Sequence, residues 1–173
     1  MWDKFGELDS AEEINRLAAA ELQEGDIDAL KVLAEENGLD KDDVEDYIDG
    51  LIDELTTPEL AAVGKLDVEM KHLDVKGIIK DWVDELKAEI MRDREFAIAI
   101  RRKGKSLAGY IALTAETGYT NRAVVHKEIV KKTTTIKNMI GSHEFSIGIP
   151  TRTERKQLMH TYYEGKVLTD DGI

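Results

Sequence analysis

A row of carboxylates lies on one face of a predicted helix near residue 45. Its members fall at i, i+4, i+7 and i+11, with two further acids beside them: Asp42, Asp46, Asp49 and Asp53, flanked by Asp43 and Glu45. At a rise of about 1.5 Å per residue, successive carboxylates are roughly 4.5–6 Å apart along the helix axis. Because this spacing is comparable to that of phosphates along a nucleic-acid strand, this acidic stripe could occupy a groove built for polyanions. The alternative interpretation is a solvated helix face.

Basic side chains form three clusters in the carboxyl-terminal part of the chain. They are Arg101, Arg102 and Lys105; Lys127, Lys131 and Lys132; and Arg152, Arg155 and Lys156. These basic clusters could follow a phosphate backbone if the fold brings them together. Few aromatic residues lie near them, so phosphate contact is favoured over base stacking. Alternatively, the same residues neutralise helix carboxyl termini and pair with the acidic half of the chain.

Other segments resemble catalytic or ligand-binding motifs but lack a residue that the motif requires. Gly104-Lys105-Ser106 resembles the end of a phosphate-binding loop, but Ala99 stands where the first glycine is required. Glu45 occupies the position at which a calcium loop beginning at Asp40 needs glycine. The four histidines are far apart, there is no cysteine, and no serine lies in a nucleophile elbow. The sequence therefore predicts no catalytic residues, no metal site and no cofactor, and we expect a protein that is not an enzyme.

The charge is divided unevenly along the chain. Residues 1–100 contain 29 acidic and 11 basic side chains, whereas residues 101–173 contain 7 acidic and 13 basic ones. The two parts therefore have net charges of −18 and +6, within a total of −12. This division favours two surfaces with different partners, with uneven solvation as the alternative.

Capping signals position the helices of the amino-terminal half. Ser10 and Glu13 form a capping box that predicts a helix to about Gln23, and Asp26 and Gly38 bound a second helix. A third helix is predicted from Asp40, with an apolar stripe that extends to Leu55: Val44, Tyr47, Ile48, Leu51, Ile52 and Leu55. Thr57-Pro58 predicts the start of a fourth.

Helical periodicity continues in the second half. Asp74 is predicted to cap a helix through Ile90, and a further helical stretch is expected from Phe96 to Gly118, with a kink or break near Gly104. Asn121 is predicted to cap the next helix.

A small hairpin is expected near the carboxyl terminus, with residues 133–136 and 145–149 as strands around Gly141-Ser142. The first strand is open to a second interpretation, because Ile136, Met139 and Ile140 also fit one helical turn. A capping box at Thr151 then predicts a last helix to Gly165.

These elements indicate a mainly α protein: a multi-helix bundle with a short β-hairpin near the carboxyl terminus. We expect an acidic helical region over residues 1–73 and a mixed helical region with the hairpin and basic clusters over residues 74–173. The chain begins without a basic or apolar leader pattern and has no apolar run of membrane-spanning length, which predicts a soluble intracellular protein without membrane contact.

Several segments resemble a family of small proteins from bacterial conjugative elements and prophages. They are Met1-Trp-Asp-Lys-Phe-Gly6, Glu24-Gly-Asp-Ile-Asp28, Asp43-Val-Glu-Asp-Tyr-Ile-Asp-Gly50, Trp82-Val83, Arg101-Arg-Lys-Gly-Lys-Ser-Leu-Ala-Gly109, His126-Lys-Glu-Ile-Val130 and Tyr162-Tyr163. The family is similar to the PcfK-like group, which contains Cas9-inhibiting anti-CRISPR proteins of type II-A. The segments are distributed over most of the chain.

The resemblance implies a non-enzymatic inhibitor in the cytoplasm of a bacterial host. Its expected partner is guide RNA-loaded Cas9, and its expected effect is to block productive target DNA binding or cleavage. The alternative is a nucleic-acid-binding accessory protein of a conjugative element or prophage. Direct contact with RNA or DNA, and a homodimer formed through an apolar helix face, are further expectations.

Overall fold

A computed structural model describes residues 1–166, which form a mainly helical protein with a small two-stranded antiparallel sheet near the carboxyl terminus. This confirms the predicted fold class. The elements, in chain order, are α1 (Ala11–Glu24), α2 (Ile27–Glu36), α3 (Lys41–Ile48), α4 (Pro58–His72), α5 (Ile78–Ile90), α6 (Arg94–Arg101), α7 (Leu107–Thr120), β1 (Ala123–Val124), α8 (Lys127–Lys131), α9 (Thr135–Ile140), β2 (Ser146–Ile147) and α10 (Arg152–Glu164).

The first four helices begin at the predicted caps. The Ser10 hydroxyl accepts a hydrogen bond from the Glu13 N–H at 3.1 Å, and Asp26, Asp40 and Thr57 cap α2, α3 and α4. The predicted capping box at Ser10 is wrong in one detail, because the Glu13 carboxylate accepts from the N–H of Asp9. Each cap satisfies an N–H group that has no partner inside its helix.

Helix α3 ends at Ile48, so the predicted continuation to Leu55 is wrong. Gly50 has a φ of 72°, a left-handed conformation that ends the helix. The segment that follows is held by Asn15, whose side chain accepts from the Thr56 N–H at 3.0 Å and donates to the Thr56 carbonyl at 2.9 Å. This non-helical segment buries Leu55 and leaves Leu51 72% exposed.

Two other predicted starts are wrong. The residue that precedes α5 is Gly77, and Asp74 has a φ of 49° in the turn after α4. The helix predicted to begin at Asn121 begins at Lys127, because Asn121 ends α7 and the β-branched Val124 pairs in the sheet. The expected break at Gly104 is confirmed, since α6 ends at Arg101 and Ser106 caps α7.

The sheet shares only its second strand with the predicted hairpin. Ser146 and Ile147 pair with Val124 and Ala123, so the first strand is not residues 133–136. The alternative interpretation of that segment is confirmed, because Ile136, Met139 and Ile140 lie on α9. The capping box at Thr151 is also confirmed.

Helix α4 packs against both halves of the bundle. Its Ala61 belongs to a buried apolar cluster formed with residues of α1, α2 and α3, including Ile14 and Leu33. Its Ala62 and Leu66 belong to a second cluster, built around α5, α6, α7 and α10. The acidic region thus rests on the mixed helical region through α4.

The end of α2 approaches α4 closely at two glycines. A Cβ built on Gly64 of α4 would overlap the backbone oxygen of Asn37 and lie 2.9 Å from that of Gly38. Gly38 also has a φ of 67°, which permits the turn out of α2. We call this contact the α2–α4 junction.

Candidate interaction surfaces

The acidic stripe lies on the outer side of α3 and the turn after it. Its residues are exposed except for the half-buried Asp43. Val44 and Tyr47 on the opposite side of α3 are buried, which fixes the direction in which the carboxylates face. Helical spacing holds for Asp42, Asp46 and Asp49, whereas Asp53 lies beyond the helix.

The stripe is not neutralised by the chain itself. Within residues 1–166, none of its six acids has a cationic nitrogen within 4 Å. The stretch that forms the first apolar cluster, residues 1–57, contains 19 acidic and four basic side chains. Because acidic side chains outnumber basic ones so strongly in this stretch and the stripe itself has no cationic partner, the surface around α3 has a negative potential.

Arg101, the first residue of the basic clusters, is buried and only 1% exposed. Its guanidinium donates to the Leu8 carbonyl from two nitrogens at 3.1 and 2.8 Å, to the Ala61 carbonyl at 2.7 Å and to the Asn37 side chain at 2.7 Å. Burial lowers the pKa of Arg101 to about 10, so the group stays cationic at neutral pH. Arg101 therefore joins the amino-terminal segment, α2 and α4, and is not placed to touch a nucleic acid.

A second buried cation lies beside the same junction. Lys65 forms an ion pair with Glu7 and lies 3.8 Å from a Glu69 oxygen, and it donates to the Lys105 carbonyl at 2.8 Å. Burial raises the pKa of Glu69, while the Leu107 N–H, bound at 2.8 Å, and the charge of Lys65 oppose that rise. Sequence analysis did not find this network, because nothing in the spacing of Lys65 and Glu69 separates a buried pair from an exposed i, i+4 pair.

Five of the nine residues in the basic clusters already have partners in the fold. Besides Arg101, Lys105 donates to the Tyr162 carbonyl at 2.5 Å and Lys131 pairs with Glu128 at 2.6 Å. Arg155 binds both oxygens of Glu85 at 2.6 and 2.8 Å. Lys156 lies 3.8 Å from Glu89. None of these partners belongs to the acidic stripe, although Glu85 and Glu89 lie in the acidic part of the sequence, residues 1–100.

The remaining four cluster residues have no ion pair or side-chain hydrogen bond within the described chain. They are Arg102, Lys127, Lys132 and Arg152, and all four are exposed. Lys127 and Lys132 lie at the two ends of α8, Arg102 follows α6, and Arg152 is the first residue of α10. The cations available to a polyanion are therefore fewer than the sequence predicts.

The segment over residues 121–149 lies outside both buried apolar clusters. It contains β1, α8, α9 and β2, and none of its residues is buried. Five large aliphatic side chains on it are at least half exposed: Val124, Ile129, Met139, Ile147 and Ile149. We call this segment the insert. The exposure of the insert was not predicted, although the absence of an apolar stripe longer than one helical turn in residues 121–149 is the signal that could have indicated it.

The described residues contain no group of three or more histidine, cysteine, aspartate or glutamate side chains that could hold a metal ion. The buried His160 has its ring nitrogens 2.6 Å from Glu164 and 3.1 Å from Glu89, and it tilts against Phe96 in the second core. This histidine links α10 to α5. Across residues 1–166 no helix is both long and apolar enough to cross a membrane.

The acidic stripe, the four residues of the basic clusters without partners and the insert are thus the candidate interaction surfaces among the described residues. Comparison with models of protein families, with curated proteins and with solved structures gives no match to this chain.

Proposed function

We propose that this chain is a non-enzymatic anti-CRISPR protein that binds guide RNA-loaded Cas9 and blocks productive target DNA binding or cleavage. The observation that carries the proposal is the set of exposed carboxylates on α3 without cationic partners. The resemblance to the PcfK-like group supports the choice of Cas9 as the partner. The cytoplasm of a bacterial host is the compartment in which this partner occurs.

The mechanism follows from charge complementarity. Cas9 holds nucleic acid in positively charged channels and recognises its short motif with arginines. A rigid helix that presents carboxylates at the spacing of phosphates would compete with DNA for those cations. Since α3 is fixed on its inner side by Val44 and Tyr47, the carboxylates need little further ordering on binding. Attraction between the two surfaces would also speed association and would weaken as salt is added.

The test is reversal of the three helical carboxylates, Asp42→Lys, Asp46→Lys and Asp49→Lys, in one variant. We expect the concentration needed to inhibit target cleavage by guide-loaded Cas9 to rise at least ~100-fold, because attraction becomes repulsion at three positions. The measurement is a cleavage titration, with circular dichroism to confirm that the variant stays helical.

A matched control reverses three exposed carboxylates that lie outside the acidic region and, like the stripe, have no cationic partner in the described chain: Asp81, Glu116 and Glu144. It changes the net charge by the same amount, so it should inhibit cleavage within about threefold of the parent protein if the position of the charge matters. Equal loss in both variants would point to net charge alone, and full inhibition by the stripe variant would refute the proposal.

A nucleic-acid-binding accessory protein is the second candidate. The four exposed residues of the basic clusters that have no partner favour this candidate. The other five residues of the clusters already have partners in the fold, which disfavours it. Gel-shift titrations of DNA and RNA at increasing salt would test it. Binding that weakens steeply with salt, and that is lost in Arg102→Glu/Arg152→Glu, would support this candidate.

A further inference from the structure

The insert has the composition of a protein interface and lacks a partner. Its elements contact each other, with β1 against β2 and α8 against α9. Met139 is 80% exposed, Val124 is 60% exposed and Ile129 is 59% exposed. Several large apolar side chains left exposed on one segment are a feature of contact sites in soluble proteins.

The insert is also basic. It contains five basic and two acidic residues, of which Lys127, Lys132 and Lys137 have no ion pair in the described chain. The acidic stripe has the opposite charge and is equally unpaired. Leu51, 72% exposed, lies just beyond Asp49 and gives the stripe an apolar neighbour. One chain therefore presents two surfaces that complement each other in charge and that both include exposed aliphatic side chains.

We propose that the insert of one copy binds the acidic stripe of a second copy of this chain. A nucleic acid is disfavoured as the occupant, because exposed aliphatic side chains gain little against phosphates and the one phenylalanine, tyrosine or tryptophan of the insert, Phe145, is half-buried. The contact joins two different surfaces, so it forms either a reciprocal dimer or a head-to-tail chain of copies. The inference does not rest on the proposed function, because its test needs only the purified protein.

Charge exchange between the two surfaces gives a direct test. The insert variant is Lys127→Glu/Lys132→Glu/Lys137→Glu, and the stripe variant is Asp42→Lys/Asp46→Lys/Asp49→Lys. Each variant alone faces like charge, so its dissociation constant for self-association should rise at least ~tenfold above that of the parent protein. An equal mixture of the two variants should form a mixed dimer, because each variant retains the native surface that the other has lost.

A chain with all six substitutions should associate again, since its two surfaces exchange signs together. Sedimentation velocity at concentrations up to about 1 mM measures all four samples, and circular dichroism confirms that each is folded. Association of the parent and of the six-substitution chain, with loss in both single-surface variants, would support the proposal. A parent protein that stays monomeric throughout, or a six-substitution chain that does not associate, would overturn it.

The apolar part of the contact has its own variants. Ile129→Glu/Met139→Glu should weaken association at least ~tenfold, whereas Met91→Glu, at a side chain 63% exposed at the end of α5, should not change it. Polyuridine is the probe that tests whether the insert binds a nucleic acid instead of a second copy of the chain. Salt-sensitive binding of polyuridine by a monomeric parent, lost in the insert variant, would assign the insert to a polyanion and overturn the proposal.

Discussion

Replacing Arg101 with methionine is expected to lower the free energy of unfolding by about 3–5 kcal/mol. The guanidinium is buried and supplies four hydrogen bonds, so its loss leaves the carbonyls of Leu8 and Ala61 and the Asn37 amide oxygen without donors. Buried acceptors that lose their donors pay their full desolvation cost. Urea denaturation followed by circular dichroism measures the change.

The neighbouring residue is the control. Arg102 is exposed and has no side-chain partner in the described chain, so Arg102→Met should change stability by less than about 0.5 kcal/mol. Arg101→Lys should fall between the two, because an ammonium cannot reach all three acceptors with the geometry of a planar guanidinium. Equal stabilities of the Arg101→Met and Arg102→Met proteins would show that the junction does not depend on these hydrogen bonds.

Gly64→Ala is expected to destabilise the protein by about 2–3 kcal/mol, although alanine is the better residue inside a helix. The added Cβ would overlap the Asn37 backbone oxygen and would force α2 away from α4. Backbone atoms cannot move aside as a flexible side chain can, and the same shift would disturb the acceptors of Arg101. Thermal or chemical denaturation would measure the loss.

Gly50→Ala separates this packing effect from glycine's conformational freedom. A Cβ at Gly50 meets nothing within 4 Å, but its φ of 72° makes alanine cost about 1 kcal/mol. Gly64 has helical geometry, so it carries no such cost. If Gly64→Ala were as stable as the parent protein or more stable, the close approach of α2 and α4 would be disproved.

The helix starts were predictable wherever a side chain forms its own cap. Ser10, Asp26, Asp40, Thr57 and Thr151 satisfy backbone N–H groups within three residues, and such local bonds depend on sequence alone. Asp74 failed as a cap because the chain turns through it with positive φ, which places the helix start beyond Gly77.

Interactions between distant residues were not predictable. Arg101 lies 93 residues from Leu8, and no local pattern distinguishes it from the exposed Arg102 beside it. Helix α3 was predicted about two turns too long for a related reason. Leu55 is buried because Asn15 hydrogen-bonds Thr56 and holds the non-helical segment, and not because Leu55 lies on the face of α3. The first strand of the sheet was misplaced because residues 133–136 are as β-branched as residues 124–125, and β propensity alone does not decide which run pairs with Ser146 and Ile147.

The two ends of the insert meet at Gly118 and Gly148, where a Cβ on either residue would collide with the other's carbonyl oxygen. The loop therefore leaves the bundle and returns to it at one place, and no buried side chain between residues 121 and 149 ties it to the core. Backbone amides of the insert can consequently exchange with deuterium through local opening, whereas exchange of the amides of α4 and α6 requires global unfolding. A short glycine bridge across the two ends would delete the stretch and leave a helical scaffold on which other loops could be grafted.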